Sequence, residues 1–142
     1  MKAIKITVVG ALLGALCAAA TQAAAQGGMT PAEAIAFQPY APGMPIEIAV
    51  LWGDRDQGAY GMLVKLPPGF QVGSHAHTSD YYGMNIRGTW VHTMNGATEE
   101  LPPGSYVMQP GGQFHDDACK GPEGCVLLII QNAKGDFIPA PK

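Results

Sequence analysis

The sequence predicts an all-β fold, a sandwich or small barrel, and three observations carry that prediction. After residue 25 no stretch holds a helical period for more than a few residues. Short apolar or alternating runs recur along the rest of the chain. Turns rich in proline and glycine separate them, including Pro67-Pro68-Gly69, Asn95-Gly96 and Pro102-Pro103-Gly104.

Residues 1–25 stand apart. Lys2 and Lys5 precede an apolar, small-residue run over 6–20, and Ala23-Ala24-Ala25 places small residues where a signal peptidase reads. A cleaved secretory signal is expected there, with one domain over 26–142 and a periplasmic or secreted product. The apolar run is short of the roughly 20 residues that span a bilayer, and no basic flank follows it. No membrane association is therefore expected after cleavage. Cys17 follows the bulky Leu16, a poor lipid-attachment site, and is expected to leave with the signal.

Charge narrows the partners. The full chain carries -3, and without Lys2 and Lys5 it has 6 basic against 11 acidic residues, or -5. An acidic surface without a Lys/Arg cluster is repelled by phosphate backbones, so no nucleic-acid partner is expected. Cys119 and Cys125 remain, six apart, and in an oxidising compartment a small disulfide is expected. Reduced thiols and metal ligation are the alternatives.

The elements follow in order. Thr30 as cap, Pro31 at the first helical position and Glu33 predict one helical turn over 31–35. Strands are expected over 46–52 and 60–66 around a polar loop at 53–58, then over 70–77, 81–86 and 89–94. Asn95-Gly96 signals a tight hairpin into a brief strand over 98–101. A strand over 105–109 follows, and 126–131 is the most apolar of all, which predicts burial. Pro110-Gly111-Gly112 is expected to turn the chain back on itself.

His75 and His77 are two apart, so on an extended segment both rings point to one face and can reach a common metal at about 2.0 to 2.1 Å. A third ligand must come from elsewhere, and His115 is the best available. Both histidine segments follow a Pro-Pro-Gly turn, as two halves of one barrel would provide.

The stretch Gly69-(5)-His75-x-His77-(3)-Tyr81-(6)-Gly88 resembles the first cupin motif, with Tyr81 at the position of the usual glutamate ligand. Gly104-(5)-Pro110-x-Gly112-(2)-His115-(3)-Cys119 resembles the second, with Cys119 at the position of the usual asparagine. The resemblance implies a cupin-type jelly-roll β-barrel in which His75, His77 and His115 converge on one divalent transition metal ion. Iron, copper, zinc and nickel all suit imidazoles, and the choice stays open. Two readings of Tyr81 stand: a fourth ligand as phenolate, or a cavity wall beside a three-histidine site. Asp80 in a shifted register is a third.

Other residues rank lower. His92 alternates with Trp90 and Met94 and is expected at the surface or a dimer interface, with the cavity mouth as the alternative. One of Asp116 and Asp117 would accept a hydrogen bond from a ligand imidazole, or both would be solvated. Tyr82, Trp52 and Tyr60 either line a pocket or pack the shell. Met62, Met84, Met94 and Met108 read as gap-filling core rather than copper ligands. Arg87 is expected in solvent.

Two functions compete. The first is a metal-dependent oxygenase or related oxidoreductase acting on a small organic substrate. The second is a non-catalytic metal or small-ligand binding or sensing protein of the periplasm, which fits the lack of a dedicated acid, base or nucleophile. A homodimer is a family-level expectation.

Overall fold

The computed structural model describes residues 28–141. The expected signal over 1–25, with Cys17, lies outside the described residues. One 3-10 turn, Ala32–Ala34, stands where the helical turn was predicted. Eleven antiparallel strands then follow: β1 Gln38–Pro39, β2 Glu47–Gly53, β3 Tyr60–Leu66, β4 His75–Ala76, β5 Tyr81–Arg87 and β6 Thr89–Met94. The remainder are β7 Ala97–Leu101, β8 Tyr106–Gln109, β9 His115–Lys120, β10 Cys125–Gln131 and β11 Ile138–Pro139.

They form two facing sheets, β1-β2-β3-β10-β5-β8 and β11-β4-β9-β6-β7. Neighbours in each sheet are mostly distant in sequence, as in a jelly roll. The hairpin between β6 and β7 turns on Asn95 at φ 54° and Gly96 at φ 79°, the two positive φ values that a two-residue turn matched to strand twist requires.

Three expectations are corrected. The strand expected over 70–77 shrinks to His75–Ala76 plus a single bridge between Gln71 and Ala118, because Gly73 at φ 87° breaks the extended path. The stretch 115–120, given no strand from sequence, is β9, at the heart of the second sheet between β4 and β6. Strand β10 is buried on one face only: Cys125, Leu127, Ile129 and Gln131 point inward, and the alternate residues are half-buried.

The core lies between the sheets and is organised around Trp90, which is fully buried. Its ring edge lies against Gly83 of the opposite sheet, where an added Cβ would stand 2.8 Å from Cη2. The glycine thus leaves room for the indole. Cys119 and Cys125 form a disulfide with Cα atoms 5.6 Å apart, tying the end of β9 to the start of β10 and so one sheet to the other.

Candidate metal centre

Antiparallel register brings the three predicted histidines together. His75 of β4 stands directly opposite His115 of β9. His77 lies two residues beyond His75, and its ring centroid is 5.0 Å from that of His75 and 5.3 Å from that of His115. One ring nitrogen from each falls in a group whose members are all within 4.8 Å of one another. His75 and His115 are buried, and His77 is partly so.

Backbone carbonyls set the tautomers. His75 Nδ1 donates to Gly73 O at 2.8 Å, His77 Nδ1 to Asp136 O at 2.6 Å, and His115 Nδ1 faces Gln113 O at 3.4 Å. A carbonyl only accepts, so each Nδ1 carries the proton and each Nε2 keeps a lone pair. His115 Nε2 is buried without a hydrogen-bond partner. Such an orphan in a native interior calls for an explanation, and an electron-pair acceptor supplies one. Imidazoles held at Nδ1 with Nε2 free are the donor set that transition metals bind, so the residues fit a metal ion.

The C-terminal segment completes the setting. Strand β11 pairs with β4, Asp136 accepts from Thr78 N and Oγ1, and Phe137 stacks on His75 with centroids 4.5 Å apart and planes 16° apart. Sequence reasoning had no signal for this segment, since its hold on His77 runs through a backbone oxygen.

Tyr81 sits beside the cluster, its ring centroid 5.4 Å from His77 and 5.6 Å from His115. Burial pushes its phenol well above the ordinary value of 10.0. Asp80 turns away and accepts from Gly111 N at 2.7 Å, which removes it from the site.

Asp117 and His92 are the residues that sequence reasoning placed least well. Both are buried, at 8% and 6% exposure, because β6 and β9 pair with His92 directly opposite Asp117 on the inward face. His92 is thus neither a surface nor an interface histidine. Asp117 Oδ1 accepts from Trp90 Nε1 at 2.7 Å and from His92 Nδ1 at 2.8 Å. Its Oδ2 lies 3.4 Å from His115 Nε2 and 3.9 Å from His75 Nε2. The available signal was the His115-x-Asp117 spacing, legible only once 115–120 is taken as a strand. Asp116 turns outward to accept from Gly73 N at 3.1 Å.

Burial also lowers the histidines, His75 to about 4 and His77 in the same direction. In the unfolded chain His75 takes a proton near 6.5, whereas the folded metal-free chain refuses it until about pH 4. Between those values the unfolded state binds the extra proton, so stability falls as pH falls. His75 alone removes about 3 kcal/mol across that window. Urea unfolding of metal-free protein at pH 7, 5.5 and 4.5 should show this decline, and a flat profile would contradict the assignment.

Next to the histidines an apolar cavity of about 90 Å³ runs into the barrel, walled by Met62, Leu66, Val72, Leu127, Ile129 and Phe137 among others. That is room for several waters or a small organic group. Tyr60 faces it, with its hydroxyl bonded to Gln131 Oε1 at 2.7 Å. Trp52 instead folds over Gly61 and is about half exposed. Arg87 is exposed, as expected.

Residues 44–141 match the model of a domain of unknown function, DUF4437. No curated protein matches the chain. Among solved structures, a cupin 2 conserved barrel domain protein from Rhodopseudomonas palustris superposes with TM-score 0.64 at 18% identity, covering 76% of this chain and 78% of its own. The polyketide cyclase RemF from Streptomyces resistomycificus does so with TM-score 0.68 at 17% identity, over 82% and 87%. Salicylate 1,2-dioxygenase from Pseudoaminobacter salicylatoxidans, in complex with gentisate, gives TM-score 0.57 at 16% identity over 70% of this chain and 31% of its own. At these identities the likeness is one of fold, and the fold is the cupin barrel.

Proposed function

Since the chain belongs to the DUF4437 family and folds as a cupin, we propose that it is an exported metal-binding protein that holds one divalent transition metal through His75, His77 and His115. It acts, in this reading, as an oxygenase or related oxidoreductase on a small organic substrate. The observation that carries the metal reading is one ring nitrogen of each of His75, His77 and His115 within 4.8 Å of the others, while the Nδ1 of each is turned to a backbone carbonyl. When bound, the metal supplies a Lewis-acidic and redox-capable centre with coordination positions left for small molecules.

The chain's own residues divide the remaining work. Gly73, Gln113 and Asp136 carbonyls orient the rings. Phe137 shields His75 and narrows the approach. The apolar wall holds the hydrocarbon part of a ligand and excludes water, while neutral imidazoles leave positive charge that favours a carboxylate or other anionic group. Tyr81 is proposed as part of that wall, its hydroxyl neutral. The dioxygenase and the polyketide cyclase among the similar structures support an enzyme without naming this one's reaction.

Export after removal of residues 1–25, a barrel domain over 26–142 and a homodimer belong to the same proposal. The disulfide between β9 and β10 suits an oxidising compartment. A second reading, a non-catalytic metal or small-ligand carrier or sensor, is favoured by one observation. Away from the histidines and Asp117 the cavity wall is mostly apolar, and its polar side chains are tyrosines and Gln131 rather than a carboxylate, histidine or lysine.

An oxygen electrode separates the two. Iron(II)-loaded protein should consume oxygen with at least one member of a panel of small aromatic and aliphatic carboxylates, above the metal-free baseline. Tight metal retention with no consumption across the panel moves the assignment to the carrier or sensor.

A further inference from the structure

We infer that Asp117 is the fourth, anionic ligand of the metal site, supplying from β9 the carboxylate that Tyr81 replaces on β5. This rests on the three-histidine reading above and deepens it. Oδ2 stands 3.4 Å from His115 Nε2 and 3.9 Å from His75 Nε2. Two ligands each about 2.0 to 2.1 Å from a tetrahedral metal lie about 3.3 to 3.4 Å apart, so the His115 separation is that of two atoms sharing one ion, and the His75 separation is about half an ångström longer.

The two carboxylate oxygens are used differently. Oδ1 receives both available hydrogen bonds, from Trp90 and His92, and these fix the plane of the group. Oδ2 receives none from them and is aimed at the histidines. His75 Nε2 is a bare lone pair, since its proton lies on the nitrogen that bonds Gly73 O. The Asp117 oxygen and the unpartnered His115 Nε2 face each other across 3.4 Å, and with the imidazole proton on Nδ1 a cation between them relieves the repulsion.

No Lys or Arg forms an ion pair with Asp117 among the described residues; the imidazoles of His75, His92 and His115 stand nearest its carboxylate instead. A buried carboxylate so placed is the kind that pairs with a metal. Trp90 and His92 then act as positioning residues, holding the ligand carboxylate as outer hydrogen-bond donors commonly do. Three imidazoles and one carboxylate, with no thiolate or thioether, favour a divalent iron, cobalt, nickel or zinc ion over cuprous copper.

The test uses cobalt(II) with metal-stripped full domain, in wild type, Asp117→Asn and Tyr81→Phe. Asparagine keeps Oδ1 as acceptor for Trp90 and His92 while removing the anion. The expected result is a cobalt dissociation constant raised about 100-fold or more in Asp117→Asn, with a shifted visible d–d spectrum. Tyr81→Phe should change it less than threefold and leave the spectrum alone. Binding within threefold of wild type and an unaltered spectrum in Asp117→Asn overturn the ligand role while leaving the three-histidine site standing. So does a loss carried by Tyr81→Phe instead. Failure of wild type to bind cobalt overturns the metal reading itself and this inference with it. If Asp117→Asn lacks a cooperative melt, a crystal structure of cobalt-loaded wild type decides: Oδ2 within about 2.5 Å of the ion supports the assignment, and beyond 3 Å refutes it.

Discussion

Replacing His115 with alanine is expected to weaken divalent-metal binding by on the order of 10³-fold, more than the 10- to 100-fold that outer partners of a metal ligand carry. The reason is its place in the register. His115 faces His75 across β4 and β9, its ring centroid 4.2 Å away, and it is the ligand nearest Asp117. The ring is fully buried and its Nδ1 faces Gln113 O, so the metal-free fold is also expected to lose about 2 to 4 kcal/mol, which is read separately from the affinity. Competition against a chromophoric chelator measures the affinity, and a thermal melt of the metal-free variant checks the fold. Retention of wild-type affinity would remove His115 from the site.

Trp90→Ala should cost about 3 to 5 kcal/mol of unfolding free energy, the range for emptying a buried aromatic site. Three losses combine there. The indole is fully buried between the sheets, its edge fills the space that Gly83 leaves, and its Nε1–H is one of two donors on Asp117 Oδ1. The complementary change, Gly83→Ala, drives a methyl into the same ring and should cost about 1 to 3 kcal/mol. Urea denaturation of both variants checks this, and a Trp90→Ala cost below about 1 kcal/mol would show that the two sheets pack independently of the indole.

Much of the barrel was legible because its signals are local. The strands over 60–66 and 89–94 were bounded by alternation and turns that no tertiary contact had to override. Asn95-Gly96 announced its own hairpin. The histidine pair and the distant His115 were legible through motif spacing, since a two-residue offset on a strand fixes which side chains share a face.

What stayed hidden depends on pairing. The strand over 115–120 carries alternating polar residues that read as loop until β4 and β6 flank it, and with it went the inward aim of Asp117. His92 looked like a surface residue because nothing near it in sequence announces the buried carboxylate 25 positions away that accepts its hydrogen bond. The stretch at 70–77 overcounted as strand since Gly73 reads as tolerable in an extended run until its φ of 87° is seen. Asp136 and Phe137 reach the site from the chain's end, through a backbone oxygen and a ring face that leave no motif.

The most direct test of the metal centre is anomalous diffraction from crystals of the metal-loaded domain. A single strong peak should appear at about 2.0 to 2.2 Å from the Nε2 atoms of His75, His77 and His115. A peak elsewhere, or none between those three rings at saturating metal, would contradict the account.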